Sequence, residues 1–228
     1  MGGHAQAQTL ADYTAVPPFL KNQASPDILF IVDNSSSMQC PAYDSDFDED
    51  GTANASDTTP GSENDGVAAN DFNPSTTYYG YFDSTKTYIY QSSGTERFEQ
   101  QTCTITTGGT CWSGNFLNWL TMRRVDVVKK VLTGGQTKND GSADQFDLIG
   151  HNTSGSSYCE EFQKRFTGAT LVSPFANTVG YKMKNGEANI EVTSTPGGGS
   201  GLGTFKVRIK NATDPQGIIH KQKSKARV

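Results

Sequence analysis

The segment Pro26-Asp27-Ile28-Leu29-Phe30-Ile31-Val32-Asp33-Asn34-Ser35-Ser36-Ser37-Met38 sets the expectation for the fold. Residues 27–32 form an apolar run behind a proline and ahead of a second aspartate, which suits a strand buried on both faces in a parallel sheet. Directly after it, Asp33-x-Ser35-x-Ser37 can aim one carboxylate and two hydroxyls at a single point, a donor set that suits Mg2+ or another divalent cation. The next strong element is residues 114–132, in which Phe116, Leu117, Trp119, Leu120, Val127, Val128, Val131 and Leu132 fall on one broad helical face. Ser113 or Asn115 can cap its start, Lys129 and Lys130 sit near its negative end, and Gly134-Gly135 stops it. A strand and helix of one α/β unit normally join through a few residues, so the eighty or so between them read as an insertion.

Charge and composition agree with a small core carrying polar additions. The chain has 228 residues, 34% hydrophobic, with a net charge of -5 and a mean hydropathy of -0.57. From Asn22 to Thr85 there is no Lys or Arg, yet twelve of the 24 acidic residues fall there. The basic residues gather near the end, at Lys206, Arg208, Lys210, Lys221, Lys223, Lys225 and Arg227. An acidic balance argues against nucleic acid as the main partner, because phosphate binding needs a basic surface. No apolar run approaches the roughly 18 residues that a transmembrane helix needs. Three histidines, with no His-Glu-x-x-His and no Gly-x-Ser-x-Gly, leave an enzymatic reading without its usual groups.

Four cysteines, Cys40, Cys103, Cys111 and Cys159, lack metal-finger spacing and suit disulfides in an exported protein. Three connectivities are open, and Cys103 with Cys111, around a turn-rich segment, is the first expected bridge. Ala5-Gln6-Ala7 has the small-x-small pattern of a signal-peptidase site without the basic and apolar regions that precede one, so it reads either as a chance match or as the remnant of a leader. In the acidic stretch, Asp46-x-Asp48-x-Asp50-Gly51-x-x-Asn54-x-x-Asp57 places oxygen side chains at positions 1, 3, 5, 9 and 12 of a calcium-type loop. Its competitor is an acidic linker. Residues 77–91 read as an aromatic hairpin, packed across itself or serving as a carbohydrate or peptide platform. A short helix is expected near residues 160–166. Strands are expected at 187–193 and 204–210, on either side of a Gly-rich turn.

Several segments together resemble a known family. Tyr13-Thr14-Ala15-Val16-Pro17-Pro18-Phe19-Leu20, the Pro26–Met38 segment, Tyr79-Gly80-Tyr81-Phe82-Asp83 and Gly114-Asn115-Phe116-Leu117-Asn118-Trp119-Leu120-Thr121-Met122-Arg123-Arg124-Val125-Asp126 occur in this order. So do the residues 130–135. The chain resembles the PilY type of type IV pilus-associated adhesins and, through Asp33, Ser35 and Ser37, von Willebrand factor A domains with a metal-ion-dependent adhesion site. The resemblance implies an α/β fold: a partial von Willebrand factor A-like (Rossmann-like) domain interrupted by long β-rich and irregular insertions. The expected organisation is a leader-bearing segment at 1–25, the first strand and metal loop at 26–39, and an acidic and aromatic insertion at 40–112. The A-type helix follows at 113–135, a second insertion with a β-hairpin at 136–216, and a truncated return to the A-type domain at 217–228. The Thr and Asp that complete the family's metal site have no counterpart here.

The function implied is that of a non-enzymatic protein displayed at the pilus tip or outer surface of a bacterium. It would bind a surface or host ligand through a divalent cation, with Ca2+ in the acidic loop. The alternative is a structural factor for pilus assembly or priming that packs against pilin or minor pilin subunits, its metal sites purely structural.

Overall fold

The computed structural model describes residues 31–43, 67–68, 72–139, 146–152, 162–166, 170–176, 179–184, 188–195 and 198–210. The chain divides into two units, Met1–Asp33 and Asn34–Val228. In the first, the described residues are 31–33. Ile31 and Val32 are 88% and 48% exposed and belong to no strand. The buried parallel strand expected at 27–32 is therefore not seen at its described end, and residues 27–30 lie outside the described residues. A strand buried on both faces needs a layer packed over each face, and the described strands of the second unit's two sheets come from other segments.

Among its described residues the second unit has two sheets and two α-helices. The strands are β1 (Val67–Ala68), β2 (Thr87–Gln91), β3 (Arg97–Gln100), β4 (Cys111–Ser113), β5 (Thr137–Asn139), β6 (Phe146–Ile149), β7 (Phe162–Arg165), β8 (Gly180–Lys184), β9 (Asn189–Thr195), β10 (Gly198–Lys206) and β11 (Arg208–Ile209). One sheet runs β1-β7-β8-β9-β10 and the other β4-β2-β3-β11-β6-β5. Among the described strands, β1 with β7 and β11 with β3 pair in parallel, and the other pairs are antiparallel. The mixed α/β class expected from the sequence is present. Most of its strands come from the stretches read as insertions. Among the described residues no helix is long and apolar enough to cross a membrane.

Helix α1 (Gly114–Thr121) is buried along its whole length, as expected of a helix carrying Phe116, Leu117, Trp119 and Leu120 within two turns. Its cap is Ser113, whose hydroxyl accepts from the amide of Phe116. Rings from both sheets meet around it. Phe116 packs on Phe72, Trp119, Phe166 and Tyr181, while Trp112 of β4 touches Phe98, Tyr181 and Phe205. These edge-on and tilted ring contacts join the two sheets into one aromatic core.

The single helix expected over 114–132 is two. Helix α2 (Arg124–Thr133) starts afresh after Met122 and Arg123, both extended. The break has a local cause: the Asp126 carboxylate, at the third position of α2, accepts from the Arg123 amide and so starts a new helix. Gly134, at φ 84, ends it in the left-handed conformation. The helix expected near 160–166 is instead strand β7. There Phe162, Lys164 and Phe166 are buried at a spacing of two, while Gln163 between the first two is half-buried. The hairpin expected over 77–91 is strand only from Thr87, and β2 pairs with β3 and β4.

Candidate functional site

Of the proposed metal motif, Asp33 belongs to the first unit and Ser35 and Ser37 to the second. Asp33 is exposed, as is Ser35; Ser37 is half-buried in the 3-10 turn Ser36–Gln39. The Ser35 and Ser37 hydroxyl oxygens lie 2.7 Å apart and are hydrogen-bonded to each other. At 2.7 Å this is an ordinary O–H···O hydrogen bond, which sets the two hydroxyls side by side. Asp46, Asp48, Asp50, Asn54 and Asp57 of the calcium-type loop lie outside the described residues. Among the described residues no group of three or more His, Cys, Asp and Glu side chains is placed to hold a metal. The Cys103–Cys111 disulfide is formed. Cys40 is also disulfide-bonded, and Cys159 lies outside the described residues.

Two asparagines of α1 organise the aromatic loop before β2. The Asn115 amide donates to Thr76 O at 2.7 Å, and its oxygen accepts from the Tyr78 amide at 2.8 Å. Asn118 donates to Tyr78 O and Phe82 O at 2.9 and 2.8 Å and accepts from the Phe82 amide at 3.0 Å. The loop thus receives from side chains the pairing that a sheet partner would otherwise provide. Gly80 is required by the closeness of the approach: a Cβ there would sit 2.3 Å from Asn118 Oδ1. Tyr78, Tyr81, Phe82 and Tyr88 are buried, and Tyr79 alone of the loop's rings is exposed. Four of these rings therefore serve packing, the first of the two roles considered for the cluster.

A polar hub lies under the loop. Asp126 is 1% exposed. One carboxylate oxygen accepts from Tyr81 Oη at 3.1 Å and from the His151 amide at 2.9 Å, and the other from the Arg123 amide at 3.3 Å. Burial pushes the Asp126 carboxyl up to about 6, against the pull of these donors. Burial also lowers His151 to about 4, helped by the Lys129 and Arg123 charges. Lys129 Nζ lies 3.0 Å from His151 Nδ1 and donates to Gln136 Oε1 at 2.6 Å. These groups fasten the loop, α2, and the segments after α2 and β6 to one another.

Two further buried cations act similarly. Arg123, 1% exposed, donates to Gln39 O at 2.6 Å, and its guanidinium lies 4.9 Å above the Phe162 ring. Lys164, fully buried, donates to Tyr43 O at 2.5 Å and to Trp119 O at 2.8 Å, at the negative end of α1. Its ammonium sits 4.4 Å over the Trp119 ring. On the six-stranded sheet, fully buried Asp147 is held between Arg97 and Arg208, at 3.3 and 2.6 Å. Sequence reasoning singled out none of Asn118, Asp126, Asp147 or Lys164 as a buried polar group. The available signals were a polar residue inside an apolar helical run at 118 and a carboxylate three residues after Arg123.

Clefts open among the described residues of this unit. One, about 370 Å³, lies along the aromatic loop and reaches Gln100, Lys130 and Lys210. Another, about 490 Å³, is lined by Glu96, Gln136, Lys138, Asn152, Lys206 and Arg208, among others.

Comparison with known proteins places this architecture. A family described as "PilY1 homolog, small alpha/beta domain" matches residues 69–207, a stretch holding α1, α2 and β2 to β10. Two proteins of Xylella fastidiosa (strain Temecula1), each named type IV pilus biogenesis factor PilY1 homolog, are 37% identical over 83 residues and 38% identical over 82. Those matches cover 32% and 34% of this chain but 7% and 5% of the relatives, so the similarity spans a small part of each relative's length. No solved structure matches the chain. Because the family match takes in more than half of the chain, and with it both helices and most of both sheets, the chain belongs to the PilY1 homolog small α/β domain family.

Proposed function

We propose that this chain is a non-enzymatic part of a type IV pilus biogenesis factor, acting outside the cell, where its α/β unit packs against pilin or minor pilin subunits. The observation that carries the reading is the use made of the buried charges. Arg123, Asp126, Asp147 and Lys164 all join separate segments of the unit, as a scaffold that must hold its shape requires. The name that the relatives carry supports the pilus system as the setting.

A second reading, cation-dependent adhesion at the pilus tip, is favoured by the Ser35 and Ser37 hydroxyls lying side by side. In it, residues 26–39 supply the first strand and metal loop of a von Willebrand factor A-like domain. Asp33, Ser35 and Ser37 hold Mg2+ or a similar divalent cation through which a surface or host ligand binds. Asp46, Asp48, Asp50, Asn54 and Asp57 hold Ca2+. Calorimetric titration of the wild type, Asp33→Ala and Asp50→Ala with Mg2+ and Ca2+ tests the cations: the reading expects Mg2+ heat lost in the first variant and Ca2+ heat in the second. Heats that neither variant changes would sink it. In cells, Asp33→Ala separates the roles. Lost attachment with normal filament number supports adhesion, while retained attachment supports the assembly role.

A further inference from the structure

The aromatic loop leaves one ring outside the core, and that residue lines the cleft of about 370 Å³. Tyr79 is 49% exposed, whereas Tyr78, Tyr81 and Phe82 beside it in the chain are buried. Thr77, Asp83, Ser84 and Gln100 line the same cleft. Among the described residues, the Thr77, Tyr79 and Ser84 hydroxyls and the Gln100 carboxamide have no protein partner. Asp83 accepts from the Thr85 amide and hydroxyl through one carboxylate oxygen, at 2.9 and 2.7 Å, which leaves its second oxygen. These groups are held in place before anything binds. Asn115 and Asn118 fix the loop from Thr76 to Phe82, and the Tyr43 hydroxyl donates to Tyr79 O.

We propose that this cleft binds a neutral carbohydrate, one or two sugar rings of a longer glycan, with a ring laid on Tyr79 and its hydroxyls shared among Thr77, Asp83, Ser84 and Gln100. Three features carry the assignment. Hydroxyls and a carboxamide both donate and accept, as sugar hydroxyls do, and a tyrosine ring offers an apolar face to the C–H groups of a sugar. The other ligand classes fit less well. Lys210 is already paired with Glu99 at 3.1 Å and Asp83 brings a negative charge, so an anion finds little attraction here. An apolar ligand would meet rings at most 8% exposed. The volume of about 370 Å³ lies near the lower end of the roughly 300–1,000 Å³ of small-molecule sites, room for a short stretch of glycan. The loop is preorganised, which spares the cost of ordering it on binding. Such binding needs no cation, so the inference does not rest on the metal motif or on the pilus role.

The test is an amide NMR titration of the full chain, in the presence of EDTA, with lactose, maltose, cellobiose and N,N′-diacetylchitobiose. At least one of these sugars is expected to shift the amides of residues 77–84 and of Gln100 saturably. Tyr79→Ala should weaken that binding about tenfold and Gln100→Ala about fivefold, while Lys86→Gln, outside the cleft, should bind as the wild type does. Equal urea midpoints for these proteins separate lost binding from lost folding. No saturable shift with any of the sugars overturns the proposal, as does binding that Tyr79→Ala leaves unchanged. Glycerol should give no saturable shift, and equal shifts with it would reduce the site to unspecific contact and overturn the assignment. So would tighter binding of decaglutamate at the same residues, which would give the cleft to an acidic segment instead.

Discussion

Replacing Asn118 by Ala removes the clamp on the aromatic loop while leaving α1 with a good helix former. Three buried backbone groups, Tyr78 O, Phe82 O and the Phe82 amide, lose their partner. Each such group costs about 1–3 kcal/mol when left unpaired. Because the loop can relax and admit water, a total of roughly 3–5 kcal/mol is expected, against a domain stability of about 5–15 kcal/mol. Asn118→Asp keeps the size but loses both donations and buries a charge, so it should cost more than Ala at neutral pH and recover in acid as the carboxyl takes a proton. Urea unfolding followed by the fluorescence of Trp112 and Trp119, both buried, reads the difference. Exposed Thr107→Ala serves as the control and should stay within about 0.5 kcal/mol of the wild type. If Asn118→Ala unfolds within about 1 kcal/mol of the wild type, the clamp is not what holds the loop.

Further predictions concern the hub, the disulfide and the buried lysine. Asp126, raised to about 6, favours the fold when protonated, so its stabilisation is present at low pH and is lost as pH rises towards 6; His151, lowered to about 4, contributes above its ordinary value and loses that contribution as pH falls towards 4. The two slopes oppose each other, so His151→Gln should gain stability relative to the wild type on going from pH 6.5 to 4, and Asp126→Asn should lose it; flat difference curves from urea midpoints would refute the assignment. Replacing Cys103 and Cys111 by Ser opens a short loop, and thermal unfolding should show a loss of about 2–3 kcal/mol. Lys164→Met strands Tyr43 O and Trp119 O, and chemical denaturation should show a loss of about 2–4 kcal/mol; an unchanged midpoint would mean that the buried ammonium stabilises nothing.

What could be read from the sequence was local. The α1 run, its Ser113 cap and the stop at Gly134 follow from spacing and residue type, as does the pairing of the two closest cysteines. The aromatic loop was misread because Tyr and Phe at alternate positions fit a strand, whereas the pairing that shapes residues 76–82 comes from side chains 36 to 40 residues away. Strand β7 was missed for a related reason: Lys164 reads as an exposed residue until its ammonium is seen to end on two carbonyls and a Trp ring. Buried charges such as Lys164 and Asp147 are satisfied across distant segments, and spacing along the chain marks only one, like Asp126, that also caps a helix. The metal motif shows the opposite pattern. Asp33-x-Ser35-x-Ser37 was plain in sequence, and the folded turn adds the distance between its two hydroxyls.

In the function proposed above, this α/β unit is a structural part of pilus assembly. The most direct test is the number of surface filaments, counted by electron microscopy, in cells whose chromosomal copy lacks the codons for residues 69–207 and in cells complemented with the intact gene. The account predicts few or no filaments in the deletion and normal numbers on complementation. Normal filament numbers in the deletion strain, with only attachment to surfaces lost, would contradict it.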